Sequence, residues 1–279
     1  MIKNTFSFNT RFWLLALLSL FVLSSCSWLP DEIDETVNWT AEELYTEAKN
    51  HLQEGELAKA IEFYEKVGAR YPHSRYAQQA QMELAYAYYK DDEPEFALAE
   101  IKRFIKTYPK HPNLDYLYYL RGMTVFPERK SVFEFIWPQD ESKRDTKISL
   151  ESFQYFDLLV RKFPDSIYAE DARLRMKYLK NKVSKHELHI AKFYYDSGAY
   201  LAAVNRASFV VKNLQETPAV GAALLIMVKA YKKLGMDSLA KDTQLIYDTN
   251  KEKNGFIDDV FLEDESILSE MVPDWLKFK

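Results

Sequence analysis

The chain has 279 residues, 47% of them hydrophobic and 28% charged, and contains only seven glycines and ten prolines. A chain of this length can bury a core, and its few turn-forming residues exclude an architecture of many short strands, so a mostly helical protein is predicted. The formal net charge of −5 at pH 7 argues against a nucleic-acid-binding protein, because such proteins present basic surfaces to phosphates.

The first 26 residues combine two basic residues, a short apolar run and a cysteine. Lys3 and Arg11 precede an apolar run over 12–23. This run is too short to span a bilayer comfortably and fits the core of a signal peptide. The run ends in LSSC, which resembles the lipobox of bacterial lipoproteins. We therefore predict that residues 1–25 are a signal peptide and that Cys26, the only cysteine, carries lipid (palmitate) as the mature N-terminus. The alternative is an uncleaved anchor with an incidental cysteine.

The residues after Cys26 predict where the mature protein resides. In enteric-type lipoproteins an Asp after the cysteine retains the protein at the inner membrane, and Ser27 in that position implies the outer membrane. Loss of Lys3 and Arg11 with the signal peptide changes the formal charge from −5 to −7. Residues 26–39 lack periodicity and are predicted to be a tether.

A repeated motif then indicates stacked helices. RYPHSRYAQQA at 70–80 and KFPDSIYAEDA at 162–172 share P-x-S-x-Y-A-x-x-A, and TYPKHPNLDYL at 107–117 is a weaker copy. An aromatic residue followed by Pro ends one helix, Ser can cap the next, and small alanines allow close packing. Pro72 and Pro109 are 37 residues apart, and a repeat length in the thirties predicts helix pairs.

Five units fit the tetratricopeptide pattern of a small residue in each helix and a turn between them. The predicted fold is all-α, a right-handed α-solenoid of about five tetratricopeptide-like helix pairs. Repeats 1–3 are predicted at 40–164 with an insertion at 127–145, repeats 4–5 at 165–249, and an acidic tail, expected to be flexible, at 250–279. No Gly or Pro interrupts 166–197, so one helix of about thirty residues should link two sub-bundles. The small positions include Ala48, Ala60, Ala85, Ala97, Gly122, Ala191, Ala203 and Ala240.

No catalytic signature is present in the sequence. It contains no Gly-rich phosphate loop, no paired cysteines and no G-x-S-x-G motif, so we predict that the protein is not an enzyme and needs no cofactor and no metal. His186 and His189 are interpreted as ordinary surface or interface residues, because no third ligand has a recognisable spacing.

A solenoid of this kind has a concave surface to which the first helix of each pair contributes one face. Tyrosines suit an extended peptide ligand there, because they offer contact area at little entropic cost and a hydroxyl for backbone groups. The alternative is that they pack between repeats. The candidate groove residues are Tyr45, Lys49, Tyr86, Tyr89, Tyr116 and Tyr119.

Particular motifs then resemble one family. The lipobox and five repeats, with HPNLDYLYYLRG at 111–122, GAYLAAVNRASFVV at 198–211 and an insertion ending in DESKRD, resemble the BamD-type (ComL-type) family of outer-membrane assembly lipoproteins. The resemblance covers about 26–247 and leaves the tail unmatched.

The resemblance implies a non-enzymatic scaffold and substrate receptor, lipid-anchored at the periplasmic face of the outer membrane. N-terminal repeats would bind C-terminal signals of unfolded β-barrel proteins, and C-terminal repeats would bind a BamA-like barrel insertase beside other Bam lipoproteins. By position, Asn205 and Arg206 are the candidate insertase contacts, with an internal salt bridge as the alternative for Arg206. The insertion motif also matches the family, although it could simply order its own loop. It consists of Asp140, Ser142, Arg144 and Asp145.

A different function is also compatible with a repeat lipoprotein of the outer membrane. Such a protein could regulate a peptidoglycan synthase or a pilus assembly machine. Co-purifying proteins would distinguish the two, since assembly predicts the barrel insertase and regulation predicts a cell-wall or pilus component.

Overall fold

The computed structural model describes residues 34–127 and 146–254, and this part of the chain contains helices and no strand. The helices are α1 (Ala41–Glu54), α2 (Leu57–Arg70), α3 (Arg75–Lys90), α4 (Pro94–Thr107), α5 (Leu114–Thr124), α6 (Lys147–Lys162), α7 (Ala169–Asp196), α8 (Tyr200–Asn213), α9 (Ala219–Lys233) and α10 (Asp237–Asn254).

Successive helices pack against each other along the whole described chain. They form five pairs, α1–α2, α3–α4, α5–α6, α7–α8 and α9–α10, and first helices of neighbouring pairs also touch, as α1 does with α3 and α7 with α9. This arrangement confirms the predicted all-α stack of five tetratricopeptide-like helix pairs. Helix α10 continues to Asn254, past the predicted repeat boundary at 249.

Local sequence signals set the helix ends in the first repeats. At α1, Thr40 and Glu43 form a capping box in which the Thr40 N–H donates to Glu43 Oε2 over 2.7 Å. Gly55 ends α1 in the left-handed region, with φ of 81°. The Ala77 N–H donates to Ser74 Oγ over 3.1 Å, which confirms that the motif serine caps α3.

The second copy of the motif uses its serine differently. Ser166 Oγ donates to Asp115 Oδ2 over 2.7 Å and accepts from the Tyr168 N–H over 3.2 Å, while α7 begins only at Ala169. Ser166 thus ties the loop before α7 to the preceding repeat, and its oxygen accepts from that loop rather than from the first turn of α7.

The small residue of the third repeat allows a very close helix crossing. A Cβ atom at Gly122 would lie 2.5 Å from the Phe156 ring, and Ser152 Oγ donates to the Gly122 carbonyl over 3.0 Å. Since Phe156 is fully buried on α6, only glycine leaves room for its ring. This confirms Gly122 as a small-residue position.

The predicted long helix is confirmed as α7, which has 28 residues and is about 42 Å long. Its first half, with Ala172 and Leu179, belongs to the core formed by repeats two and three. Its second half, with Val183 and Ala191, belongs to the core of the last two repeats. One continuous helix therefore joins the two halves of the stack.

Candidate protein-binding sites

The structure places the six predicted groove residues on the first helices of the first three pairs. Tyr45 and Lys49 lie on α1, and the other four are divided between α3 and α5. Lys49 is exposed and all five tyrosines are half-buried. The tyrosines lie at the boundary between core and solvent. A role in binding stays a prediction for each of the six residues.

Tyr45 lies in a polar cluster between the first two repeats. Its hydroxyl donates to Glu83 Oε1 over 2.7 Å, and Tyr64 donates to the other oxygen of the same carboxylate. Gln79 Nε2 also donates to Glu83 over 2.8 Å. Burial, followed by the Glu83 hydrogen bond, raises the pKa of Tyr45, so its hydroxyl stays protonated and bonded inside the fold. Tyr45 can therefore offer its ring to a ligand, because its hydroxyl proton is already donated to Glu83.

The tyrosines of α3 and α5 come together with a fifth tyrosine, Tyr168. The ring centroids of Tyr86 and Tyr89 are 6.1 Å apart, and Tyr168 lies 5.9 Å from Tyr116 and 4.9 Å from Tyr119. Burial raises the pKa of Tyr116, and the neighbouring tyrosines, Tyr86 first among them, add to that increase. We name these five side chains the tyrosine surface.

Tyr119 anchors this surface to the long helix. Its hydroxyl donates to Asp171 Oδ2 over 2.6 Å, and the same oxygen accepts from Arg175 Nε over 2.6 Å. Burial raises the pKa of Tyr119 to about 12, with the Asp171 hydrogen bond as the next cause. The ring also stacks on Tyr168 with an angle of 20° between the planes. The orientation of Tyr119 is therefore set by α7.

Sequence reasoning missed Tyr168 as a site residue, although a signal for it existed. Tyr76 and Tyr168 occupy the same position of the repeated motif, and each packs on a tyrosine of an earlier first helix. The pairs are Tyr45 with Tyr76, at 5.3 Å, and Tyr119 with Tyr168, at 4.9 Å. The recurrence of the motif tyrosine predicts the same contact in both places.

The second predicted site lies on α8. Asn205 and Arg206 are both exposed, as expected from their position outside the packed face. Arg206 Nη1 also lies 3.2 Å from Glu187 Oε2 on α7, and the side chains are 46% and 11% exposed. Arg206 thus has an internal ion pair and a guanidinium face open to solvent.

Two exposed apolar side chains flank that pair. Leu201 is 59% exposed and Phe209 is 41% exposed, and with Asn205 they follow a four-residue spacing on one face of α8. A partly exposed arginine between apolar side chains is a common composition at protein interfaces. The four-residue spacing was visible in the sequence, but only the structure shows that these side chains are exposed.

One group among the described residues brings three potential metal ligands together. Ligand atoms of His51, Glu54 and Glu56 lie within 4.8 Å of one another. Lys59 Nζ lies 2.8 Å from Glu56 Oε2, and His51 Nδ1 lies 2.8 Å from the same oxygen. The Lys59–Glu56 ion pair occupies this cluster, and a metal cation would have to displace its ammonium group.

Several predicted residues lie outside the described residues. They are Cys26 of the lipobox and Asp140, Ser142, Arg144 and Asp145 of the insertion motif. Within 34–127 and 146–254, no helix has both the length and the apolar character needed to cross a bilayer.

Comparison with known proteins gives consistent relatives. Residues 38–245 match the YfiO family, described as outer membrane lipoprotein. The outer membrane protein assembly factor BamD of Neisseria meningitidis serogroup A is 42% identical over 230 residues, which cover 82% of this chain and 86% of that protein. The factor of the same name from Vibrio cholerae serotype O1 is 36% identical, over 82% of this chain and 95% of the relative.

Among solved structures, the crystal structure of MamA protein matches 76% of this chain and 94% of that chain. The TM-score is 0.35 and the sequence identity is 14%. This similarity is too low to support an argument about fold or function.

Proposed function

This chain belongs to the YfiO family of outer membrane lipoproteins, and from that membership we propose that it is a non-enzymatic scaffold and substrate receptor in outer-membrane protein assembly. Its N-terminal repeats bind C-terminal segments of unfolded barrel proteins, and its C-terminal repeats hold a BamA-like insertase near other assembly lipoproteins. Lipid on Cys26 anchors it to the periplasmic face of the outer membrane.

The observation that carries the receptor role is the tyrosine surface. Five half-buried rings from α3, α5 and the start of α7 adjoin one another, and their orientation is set by contacts with the core. Pre-oriented aromatic side chains lose little entropy on binding, which is why they often dominate binding energy. An extended peptide ending in an aromatic residue fits such a surface, because its terminal ring can pack among the tyrosines.

The test of the receptor role uses site-specific photocrosslinking on the full chain. A crosslinker at Tyr86 or Tyr116 should capture a barrel protein during its assembly, and one at Lys102, an exposed residue of α4, should not. Truncating one tyrosine to Ala should weaken binding of a C-terminal signal peptide by about 1–2 kcal/mol, or roughly 5- to 30-fold. Capture at Lys102 but at neither tyrosine would contradict the assignment.

The insertase site on α8 needs a test that separates binding from folding. Arg206→Ala alone leaves the largely buried Glu187 carboxylate without its partner, which by itself costs stability. The informative variant is Arg206→Ala combined with Glu187→Gln, because it removes both charges. We expect it to keep its helix content and to lose about 2 kcal/mol or more of binding to the insertase's periplasmic domains.

Glu187→Gln alone is the matched control, since it keeps the arginine. It should bind like the wild type. Full binding by the double variant would remove Arg206 from the interface. A mild-detergent pull-down from native membranes tests the whole proposal: recovery of a cell-wall or pilus component in place of a barrel insertase would favour the regulatory alternative.

A further inference from the structure

A crevice lies at the junction of the two halves, and none of its lining residues belongs to the two sites described above. It has a volume of about 430 Å³ and is formed by the long helix α7 and the loop between α8 and α9. The α7 wall is Arg173, Met176, Lys177, Lys180 and Asn181, and the loop contributes Glu216 and Thr217. Three of these seven side chains are cationic.

The sequence around this wall is unusually basic for an acidic protein. Residues 172–185 contain six Lys or Arg and no Asp or Glu. Arg173, Lys177 and Lys180 follow the i, i+4, i+7 spacing, so their side chains share one face of α7. The crevice therefore concentrates positive charge on one side of the molecule.

The acidic side chains at the crevice offset this charge only weakly. Glu216 pairs with Lys180 over 2.9 Å and Glu170 pairs with Arg173 over 3.5 Å, but these carboxylates are 81% and 79% exposed. Such exposed pairs contribute little and exchange readily with water or other anions. The pKa of Glu216 is lowered by the hydrogen bond and charge of Lys180 and then by the charge of Lys177. The positive potential of both lysines therefore extends to Glu216 in the loop of the crevice.

The crevice also offers an unused acceptor and an apolar contact. Asn181 Oδ1 is buried and accepts no hydrogen bond from the part of the chain that the structure describes. A buried acceptor of this kind favours a ligand with an N–H or O–H donor. With Met176 as the apolar element, the wall suits a peptide that presents backbone N–H groups, carboxylates and apolar side chains.

We infer that the acidic segment 258–265 of this chain's own C-terminal tail, DDVFLEDE, binds in this crevice. The segment has five carboxylates and the apolar residues Val260, Phe261 and Leu262, and it lies beyond 245, where the match to the family ends. Residues 255–279 as a whole contain seven Asp or Glu and two Lys. This inference does not depend on the proposed function.

The topology brings the start of the tail near the crevice. Helix α9 begins at Ala219, directly after the crevice residue Thr217, and extends about 22 Å to Lys233. Helix α10 packs on α9 after a three-residue connection, so it returns toward the crevice end of α9. Segment 258–265 begins four and ends eleven residues after Asn254, so when extended it reaches about 13–36 Å from the end of α10. This is enough to pass across a helix with a diameter of about 10–12 Å.

A carbodiimide crosslinking experiment on the full chain in mild detergent tests the assignment. The reagent joins a carboxylate to a lysine amine only where the two are in contact, and peptide mapping by mass spectrometry locates each link. We expect links from Lys177 or Lys180 to segment 258–265 in at least about tenfold greater yield than from Lys102, an exposed lysine of α4. The yield should be independent of protein concentration and fall at about 1 M salt, where charges are screened within roughly 3 Å.

The Lys180–Glu216 ion pair, with its 2.9 Å contact, is the internal positive control for the reagent. Lys177→Glu should reduce the tail link at Lys180 at least about fivefold, since it reverses a crevice charge. The matched variant Lys102→Glu should leave it unchanged, and both should keep wild-type helix content by circular dichroism.

Three outcomes would overturn the inference. One is the control link to Glu216 without any tail link in the crevice. Another is equal linking of the tail to Lys102 and Lys177. The third is a tail link whose yield rises with protein concentration, because it would show that the segment comes from a second copy.

Discussion

Gly122→Ala should destabilise the third repeat and distort the tyrosine surface at the same time. The added Cβ would lie 2.5, 2.6 and 2.8 Å from three atoms of the Phe156 ring. Ordinary carbon contacts are about 3.5–4.0 Å, so the ring would have to move by about 1 Å. Phe156 has no exposed surface, and its ring lies 5.9 Å from Tyr119 and 6.0 Å from Phe126, so its movement displaces these neighbours.

The expected magnitude is a difference between two effects. Forcing a methyl group into a packed core typically costs about 1–3 kcal/mol, whereas replacing Gly by Ala within a helix gains up to about 1 kcal/mol. We therefore expect a net loss of about 1–2 kcal/mol in the free energy of unfolding, measured by urea denaturation. Binding of a C-terminal signal peptide should weaken as well, because Tyr119 shifts with Phe156.

Gly68→Ala is the matched control. Gly68 lies on α2, and a Cβ there would meet nothing within 4 Å, so this variant should be more stable by about 0.5–1 kcal/mol. Adding Phe156→Leu to Gly122→Ala should recover part of the loss, since the smaller side chain leaves room for the methyl group. A Gly122→Ala protein as stable as the Gly68→Ala protein would refute the close crossing of α5 and α6.

Other predictions concern the first repeat and the N-terminus. Glu83→Ala should lower the free energy of unfolding in urea by about 2–3 kcal/mol, because it leaves the buried Tyr64 hydroxyl without an acceptor. Glu83→Gln should cost less, and equal losses for the two variants would contradict the role of that hydrogen bond. Hydrogen bonds from Thr36, then the charges of Arg70 and Lys66, hold the pKa of Asp34 at about 2, below its usual 3.8. Its stabilising contribution is therefore complete above about pH 4 and lost as pH falls through 2, and Asp34→Asn should flatten melting temperature against pH in that window. Cys26→Ala should release the protein from membranes, and an intact mass that starts at an unmodified Met1 would contradict lipidation of Cys26.

The sequence predicted the helices because their signals are local and periodic. Small residues at helical spacing, motif prolines and the absence of breakers across 166–197 depend on neighbours within a few turns. The repeated motif then carried the prediction from single helices to stacked pairs. Ser74 and Gly122 behave as expected because capping and close crossing follow from the residue and its place in the repeat.

The partners of individual side chains could not be predicted in the same way. Ser166 bonds to Asp115 rather than capping α7, Tyr119 donates to Asp171, and Arg206 pairs with Glu187, at sequence separations of 51, 52 and 19 residues. Each contact depends on how far one helix is displaced and rotated against another, and a sequence pattern sets the packed face but not that offset. The sequence alone thus determined which face of each helix packs within the repeats. The tertiary structure determined which polar side chains are already hydrogen-bonded within the fold.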